Sequence, residues 1–300
     1  MEINGVINVY KEAGFTSHDV VAKLRGMFHQ KKIGHTGTLD PDAEGVLPVC
    51  LGKGTRLCDM LTDHDKVYEA VLRLGIVTDT QDISGAVLQE KTVLVSEEEV
   101  KKCIMSFVGE QMQIPPMYSA IKVNGKKLYE LAREGIEIER KARKVHFFSI
   151  DILEISLPVI RIRVHCSKGT YIRTLCHDIG EKLGCGGCME KLLRTKVERF
   201  TLHSAKKLAE IQELIEQGTI ESYVIPVDAM FAQLPKVMTD AYGDKLVHNG
   251  NPVPWGMIQK VKMEIAEGMQ IRVYDSTNRF IGIFKKKHEK ITPVKMFNTH

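Results

Sequence analysis

Apolar positions along the chain follow two periods. The run Gly5-Val6-Ile7-Asn8-Val9-Tyr10 predicts a short strand. After Ser17, residues Val20, Val21, Leu24, Met27 and Phe28 recur at helical spacing. Residues 66–76 again resemble a strand. Ser96 and Glu99 form a capping box ahead of Val100, Cys103, Ile104, Phe107 and Val108, which predicts a helix. Residues 145–156 and 159–167 predict two strands. In the second, Ile160, Ile162, Val164 and Cys166 alternate with Arg161, Arg163, His165 and Ser167, so one face is buried. A turn at Lys168-Gly169-Thr170 leads to a helix with Ile172, Leu175, Cys176, Ile179 and Leu183 on one side. Gly184 stops it. A further helix follows Ser204, uses Leu208, Ile211, Leu214 and Ile215, and stops at Gly218. The pattern breaks around Pro226 to Pro235, which places a domain boundary near residue 233. The tail beyond it reads as short strands, among them 270–274 and 280–284.

Two stretches lack a clear period. Residues 31–58 are rich in Gly, Thr and Asp and read as one long loop. Long structured loops tend to hold function. Residues 111–143 contain Pro115-Pro116, then turn strongly basic, with a helical patch near Tyr129 to Arg133. They read as an exposed insertion.

Composition narrows the picture only a little. The 300 residues are 43% apolar, enough for one large domain or two. The net charge of +4 is compatible with a polyanion partner without requiring one. The charge is clustered, however, at Lys31-Lys32, Lys122 to Lys127, Arg140 to Lys144, Lys206-Lys207 and Lys285 to Lys287. Each cluster alone could be a solvated face. No stretch of about 20 apolar residues exists to span a membrane. Residues Met1 to Gly5 lack a basic start and an apolar signal core. With seven cysteines in a chain too large to need staples, the expectation is free thiols in a reducing cytoplasm.

Candidate chemistry concentrates in Gly34-His35-Thr36-Gly37-Thr38-Leu39-Asp40-Pro41-Asp42-Ala43-Glu44-Gly45-Val46-Leu47-Pro48. Pro41 forces Asp40 out of helical geometry, so its carboxylate is presented from a stiff, extended bend. An ordinary Asp-Pro turn fits the same residues. Tyr68 begins a strand, as a core aromatic with its hydroxyl at the rim also would. Cys166 to Thr174 takes a strand through a glycine turn into a helix, with Tyr171 and Arg173 two apart in its first turn. An arginine there commonly pairs with a carboxylate, catalytic or structural. Cys185-Gly186-Gly187-Cys188 is a CxxC that could join Cys176 and His177 around zinc, but the Gly184 stop favours a plain loop. Gly52-Lys53-Gly54-Thr55 lacks the leading glycine of a P-loop, because Leu47 stands there.

Taken together, these segments resemble the TruB family of tRNA pseudouridine synthases. The run Gly34 to Leu47 is similar to that family's catalytic loop. Asp65-Lys66-Val67-Tyr68, with Leu74-Gly75 and Thr78-Asp79-Thr80-Gln81-Asp82, resembles its second motif. Pro115 to Lys122 and Gly125 to Tyr129 resemble its tRNA-gripping insertion. Cys166 to Arg173 and Leu192-Leu193-Arg194-Thr195 resemble its last motifs. The resemblance implies an α+β fold: a mixed-sheet catalytic domain over 1–232, with the basic insertion at about 111–143, and a small β-rich domain over 233–300. That tail looks like a PUA-type RNA-binding barrel, through Lys245 to Val253 and Arg279 to Ile283. A generic small barrel would also fit.

The activity implied is isomerisation of uridine 55 in the tRNA T loop to pseudouridine. Asp40 would be the nucleophile and Arg173 its partner. Tyr68 would stack on the flipped uracil and act in proton removal. Tyr171 would line the base pocket, Leu192 would pack beside the base, and His35 would help extrude it. One departure is Leu193, where many relatives have the first arginine of a pair. That weakens any phosphate contact there.

The reaction breaks the glycosidic N–C bond, turns the base and joins C5 to the sugar. It involves no net oxidation or phosphoryl transfer, so no cofactor and no metal are expected. The carboxylate must be ionised, and Arg173 is expected to hold its pKa low. The expected partner is the T-arm stem-loop of tRNA, bound by a monomer without a protein partner or a membrane. Two rival readings are a non-catalytic RNA-binding or RNA-folding module and a metal-dependent hydrolase or phosphotransferase using Asp40 and Asp42.

Overall fold

The computed structural model describes residues 2–259, 261 and 264–297. Met1 and residues 298–300, which the sequence reading assigned to the two domain ends, lie outside them. The first part of the chain builds a nine-stranded mixed sheet. Its main strands are β1 (Gly5–Lys11), β2 (Ile33–His35), β3 (Glu44–Leu51), β4 (Lys66–Leu74), β5 (Gly109–Gln113), β6 (Arg143–Ser156), β7 (Val159–Cys166) and β8 (Gly187–Val197). They lie in the order β1-β3-β8-β4-β7-β6-β5, with β2 added on β3. All pairs on this path are antiparallel except β3 and β8, which run parallel.

Helices pack where the apolar periodicity predicts. α1 (Ser17–Phe28) starts at a capping box formed by Thr16 and Asp19. α2 (Glu97–Met105) starts at the expected Ser96–Glu99 box. α3 (Leu128–Arg133) is the short helix in the basic segment. α4 (Ile172–Lys182) and α5 (Leu208–Glu216) follow β7 and β8. α2 and α4 bury Val100, Ile104, Leu175 and Ile179 on Ala70, Leu72, Ile160 and Ile162. At the other end, α1 and α5 cover β1 and β3, with Val20, Leu24 and Ile211 on Val9, Leu47 and Val49. Each such fully buried side chain contributes roughly 1.5–3 kcal/mol.

Four expectations are corrected here. Residues 31–58 are not one loop, because they contain β2 and β3. In β3 every residue from Gly45 to Leu51 is buried. A strand covered on both faces shows an unbroken apolar run and no alternation. The residues after Gly184 are not a plain loop either, since Cys188 begins the interior of β8. Finally, the tail holds a helix, α6 (Ala241–His248), capped by the Asp240 carboxylate on Gly243 N. The expected insertion is also shorter at its start, because Gln111 to Gln113 pair with β6 in the sheet.

The tail forms a second, five-stranded sheet from Lys236–Met238, Val253–Pro254, Gln270–Tyr274, Phe280–Lys287 and Lys290–Met296. Phe231, Ile283 and Phe297 share one apolar cluster with Val6, Val46, Val197 and Phe200 of the first sheet.

Candidate active site

Asp40 lies between two residues that are themselves fastened down. Leu39 is buried, and the Ser17 hydroxyl accepts from its N–H at 2.9 Å and faces its carbonyl at 3.2 Å. On the other side, the wholly buried Lys11 ammonium donates to Pro41 O at 2.9 Å and Ala43 O at 2.6 Å. Burial lowers the Lys11 pKa to about 8. Ala43 N donates back to Asp40 O at 3.1 Å. The loop before Asp40 is gripped by Arg194 on β8. Its buried guanidinium donates to Val46 O at 2.7 Å, Gly37 O at 3.2 Å and Thr38 O at 3.3 Å. β1, α1 and β8 thus converge on one bend and hold its carboxylate still.

The carboxylate meets Arg173, the second residue of α4, side by side. Nε lies 3.0 Å from Oδ2 and Nη2 lies 3.2 Å from Oδ1. Such paired contacts are the strong geometry for arginine and carboxylate. The Arg173 side chain is 6% exposed, whereas that of Asp40 is 36% exposed, so the carboxylate opens outward. The rest of the guanidinium is also occupied. Nη1 reaches Asp82 Oδ2 at 3.2 Å and Thr80 O at 3.1 Å, and Nη2 donates to Tyr118 O at 2.8 Å. Asp82 is held in turn by Thr80 and Ser84, whose hydroxyls donate to Oδ1.

The Asp40 pKa is raised, against the expectation that Arg173 would hold it low. Desolvation is the largest cause, and Asp82 and Asp42 add to it. Arg173 and Lys11 oppose the rise without cancelling it.

Tyr68 on β4 is 8% exposed. Burial raises its phenol, while Arg194 beside it lowers it in part. Tyr171 caps the start of α4 with an extended backbone. Its phenol is likewise raised by burial and lies within the fields of Arg173 and Asp40. Leu192 on β8 stands opposite Ala70 of β4 and is 9% exposed. His35 ends β2 farther off. Its Nδ1 accepts from Gly37 N at 3.3 Å, so the proton of the neutral ring is on Nε2. Burial lowers its pKa, with His18 and Arg194 as its charged neighbours.

Sequence reasoning passed over Lys11, Asp82 and Arg194. Asp82 lies in the Thr78-Asp79-Thr80-Gln81-Asp82 segment, where nothing in the sequence sets it apart from Asp79. Arg194 is an arginine on the apolar side of a strand, and a buried arginine of that kind needs partners. Those partners are the backbone carbonyls of Val46, Gly37 and Thr38, so residue 194 is turned inward rather than toward phosphate. Leu193 points the other way and is half-buried. Among the described residues, no three His, Cys, Asp or Glu side chains converge as metal ligands would. Gly54 packs against Gly5 O, where an added Cβ would lie 2.3 Å away.

Residues 25–172 match the family profile described as TruB family pseudouridylate synthase, N-terminal domain. Residues 173–232 match the tRNA pseudouridylate synthase B C-terminal domain. The tRNA pseudouridine synthase B of Lachnoclostridium phytofermentans is 54% identical, across 98% of this chain and all of that protein. That of Clostridium tetani is 45% identical, across 98% and 99%. A solved Cbf5-Nop10-Gar1 complex contains a chain of like fold, with TM-score 0.72 and 28% identity. The match covers 98% of this chain and 85% of that one. A chain in an H/ACA RNP structure bound to a substrate RNA aligns with TM-score 0.70 at 26% identity.

The fold and the family matches place the chain among the pseudouridine synthases, which are isomerases. Within that class the chain belongs to the TruB family. The boundary between the two family segments runs through the site, since Asp40 lies in the first and Arg173 opens the second.

Proposed function

We propose that this protein converts uridine 55 in the T loop of tRNA to pseudouridine, with Asp40 as nucleophile on a flipped-out base. The observation that carries this reading is the Asp40–Arg173 pair, outward-facing and fixed from three elements, with two tyrosines in its field. The carboxylate adds covalently, the N1–C1′ bond breaks, the base turns, C5 bonds to C1′, and the bond to Asp40 breaks to return the free carboxylate. The C5 proton leaves and N1 gains one, so the sum is an isomerisation. The base must leave its stack to reach Asp40, and Tyr68, Tyr171 and Leu192 offer the apolar and aromatic walls to receive it. His35, neutral and half-buried, suits a wedge that displaces a stacked base. Tyr68 is a neutral phenol at neutral pH, so it takes a proton only as it passes on its own.

The substrate class follows from the family and from charge. The homologous proteins carry tRNA pseudouridine synthase names, and Lys31, Lys32, Lys122, Lys126, Lys141 and Arg143 are exposed. Such a surface binds phosphates along an RNA backbone. The C-terminal β-rich part would add a second contact and raise affinity by linkage. Among the described residues, no helix is long and apolar enough to cross a membrane.

The test is release of tritium from 5-tritiated uridine in a T-arm stem-loop. Wild-type protein is expected to release it, while Asp40→Ala and Asp40→Asn release none and still bind the RNA. Substantial turnover by either variant would remove Asp40 as nucleophile.

A further inference from the structure

The basic segment 114–142 leaves the sheet beside the active site, and its entry holds three active-site groups. Gln113 ends β5 and is 4% exposed. Its Oε1 accepts from Tyr171 N at 2.8 Å, and its Nε2 donates to Tyr171 O at 3.0 Å. One side-chain amide thereby replaces a strand partner for the residue that starts α4, whose own side chain makes no cap. Five residues on, Tyr118 O takes the shortest of the hydrogen bonds from Arg173. Ser119 is buried, and its hydroxyl lies beside the Tyr171 phenol. Ser119 O in turn accepts from Tyr129 N in α3, next to the exposed lysines. Residues 113–119 are therefore tied at one end to the base pocket and at the other to the basic helix.

We propose that Gln113 is a positioning residue for the isomerisation: it fixes the backbone of Tyr171, and through it the start of α4 that aims Arg173 at Asp40. This rests on the reading of Asp40 and Tyr171 given above. A carboxamide is suited to the task because it donates and accepts at once, at a fixed separation. An ionised glutamate of the same length keeps the acceptor and loses the donor. A protonated glutamate has both.

The experiment uses the full chain and the T-arm stem-loop, with Gln113→Leu, Gln113→Glu and Asp40→Asn. The measurements are single-turnover rate, RNA affinity and melting temperature. Gln113→Leu is expected to slow turnover by roughly tenfold to a hundredfold, because small misplacements at a reacting centre cost that much. RNA affinity should stay close to wild type. Gln113→Glu is expected to be slow at alkaline pH and to recover, as a ratio to wild type at each pH, on acidification. A flat ratio across pH, or Gln113→Leu at the wild-type rate, would overturn the proposal. Should Gln113→Leu fail to fold, the pH profile of Gln113→Glu decides alone. Turnover by Asp40→Asn would overturn the reading of the site and this proposal with it. An inactive Asp40→Asn beside wild-type-like Gln113 variants overturns the proposal only.

Discussion

The Asp40 carboxylate sits between opposed forces, and their balance has measurable results. Its folded pKa is raised, with desolvation the leading cause. The folded state therefore holds this proton more tightly than the unfolded chain does. The group's stabilising contribution is present below the unfolded carboxyl pKa and is lost as pH rises through the folded value. At neutral pH the ionised carboxylate is thus a cost to the fold. Asp40→Asn is expected to melt at or above the wild-type temperature at neutral pH while being inactive. A fall of more than about 4 °C, roughly 1–2 kcal/mol for a chain of this size, would mean that the ion pair outweighs desolvation. If the ionised form is the nucleophile, as proposed, the acid limb of kcat/KM is expected above the range of a free aspartate. An acid limb at or below that range would contradict the raised pKa. The sequence pointed to the pairing of Asp40 and Arg173 through motif order. It did not show which force dominates, because burial of the carboxyl depends on elements distant in the chain. Arg194 was obscured for a related reason: its three carbonyl partners are 148 to 157 residues away.

At the scale of elements, the bend that carries Asp40 is followed at once by a parallel contact between two strands. β3 pairs with β8 at Glu44↔Leu193 and Gly45↔Arg194. Gly45 has φ +107, and a Cβ there would lie 2.3 Å from Arg194 O. Both facts require glycine. Gly45→Ala is expected to destabilise by about 2–4 kcal/mol and to lower turnover by displacing the 37–43 bend. A variant with unchanged melting temperature and turnover would show that this contact yields freely. Amphipathic elements were legible from sequence: α2, α4 and β7 all show one dry face. β3 was not, because a strand buried on both faces lacks alternation, and β8 was not, because register shifts at Met189/Lys191 and Arg194/Lys196 break its period. α6 was missed because its short apolar stripe, Leu246 and Val247, is crowded by Gly, Asp and Asn.

Across the whole molecule, the two sheets share an apolar cluster instead of meeting through a linker. Phe297 is 2% exposed and lies 5.6 Å and 5.7 Å, ring to ring, from Phe280 and Phe231. The Arg56 guanidinium donates to Met296 O at 2.6 Å across the same junction. Phe297→Ala is expected to cost about 3–5 kcal/mol and to lower one common unfolding transition in calorimetry. Loss of the tail alone, with the remainder melting at the wild-type temperature, would show that the parts fold independently. RNA affinity is expected to fall steeply as salt rises, because phosphate contacts release counterions. Salt-independent binding in a titration would argue against the basic surface as the RNA contact.

The sequence by itself determined the local features: helices with caps and stripes, the half-buried strand β7, and the order of motifs that marks the family. Those signals survive in one dimension because each depends on residues a few positions apart. Only the tertiary structure decided which distant groups meet. It set Lys11, Ser17 and Arg194 around one bend, divided Arg173 between Asp40 and Asp82, and raised the pKa of the Asp40 carboxylate. Desolvation and buried hydrogen bonds are properties of packed neighbours, and in this chain those neighbours arrive from elements 22 to 157 residues away.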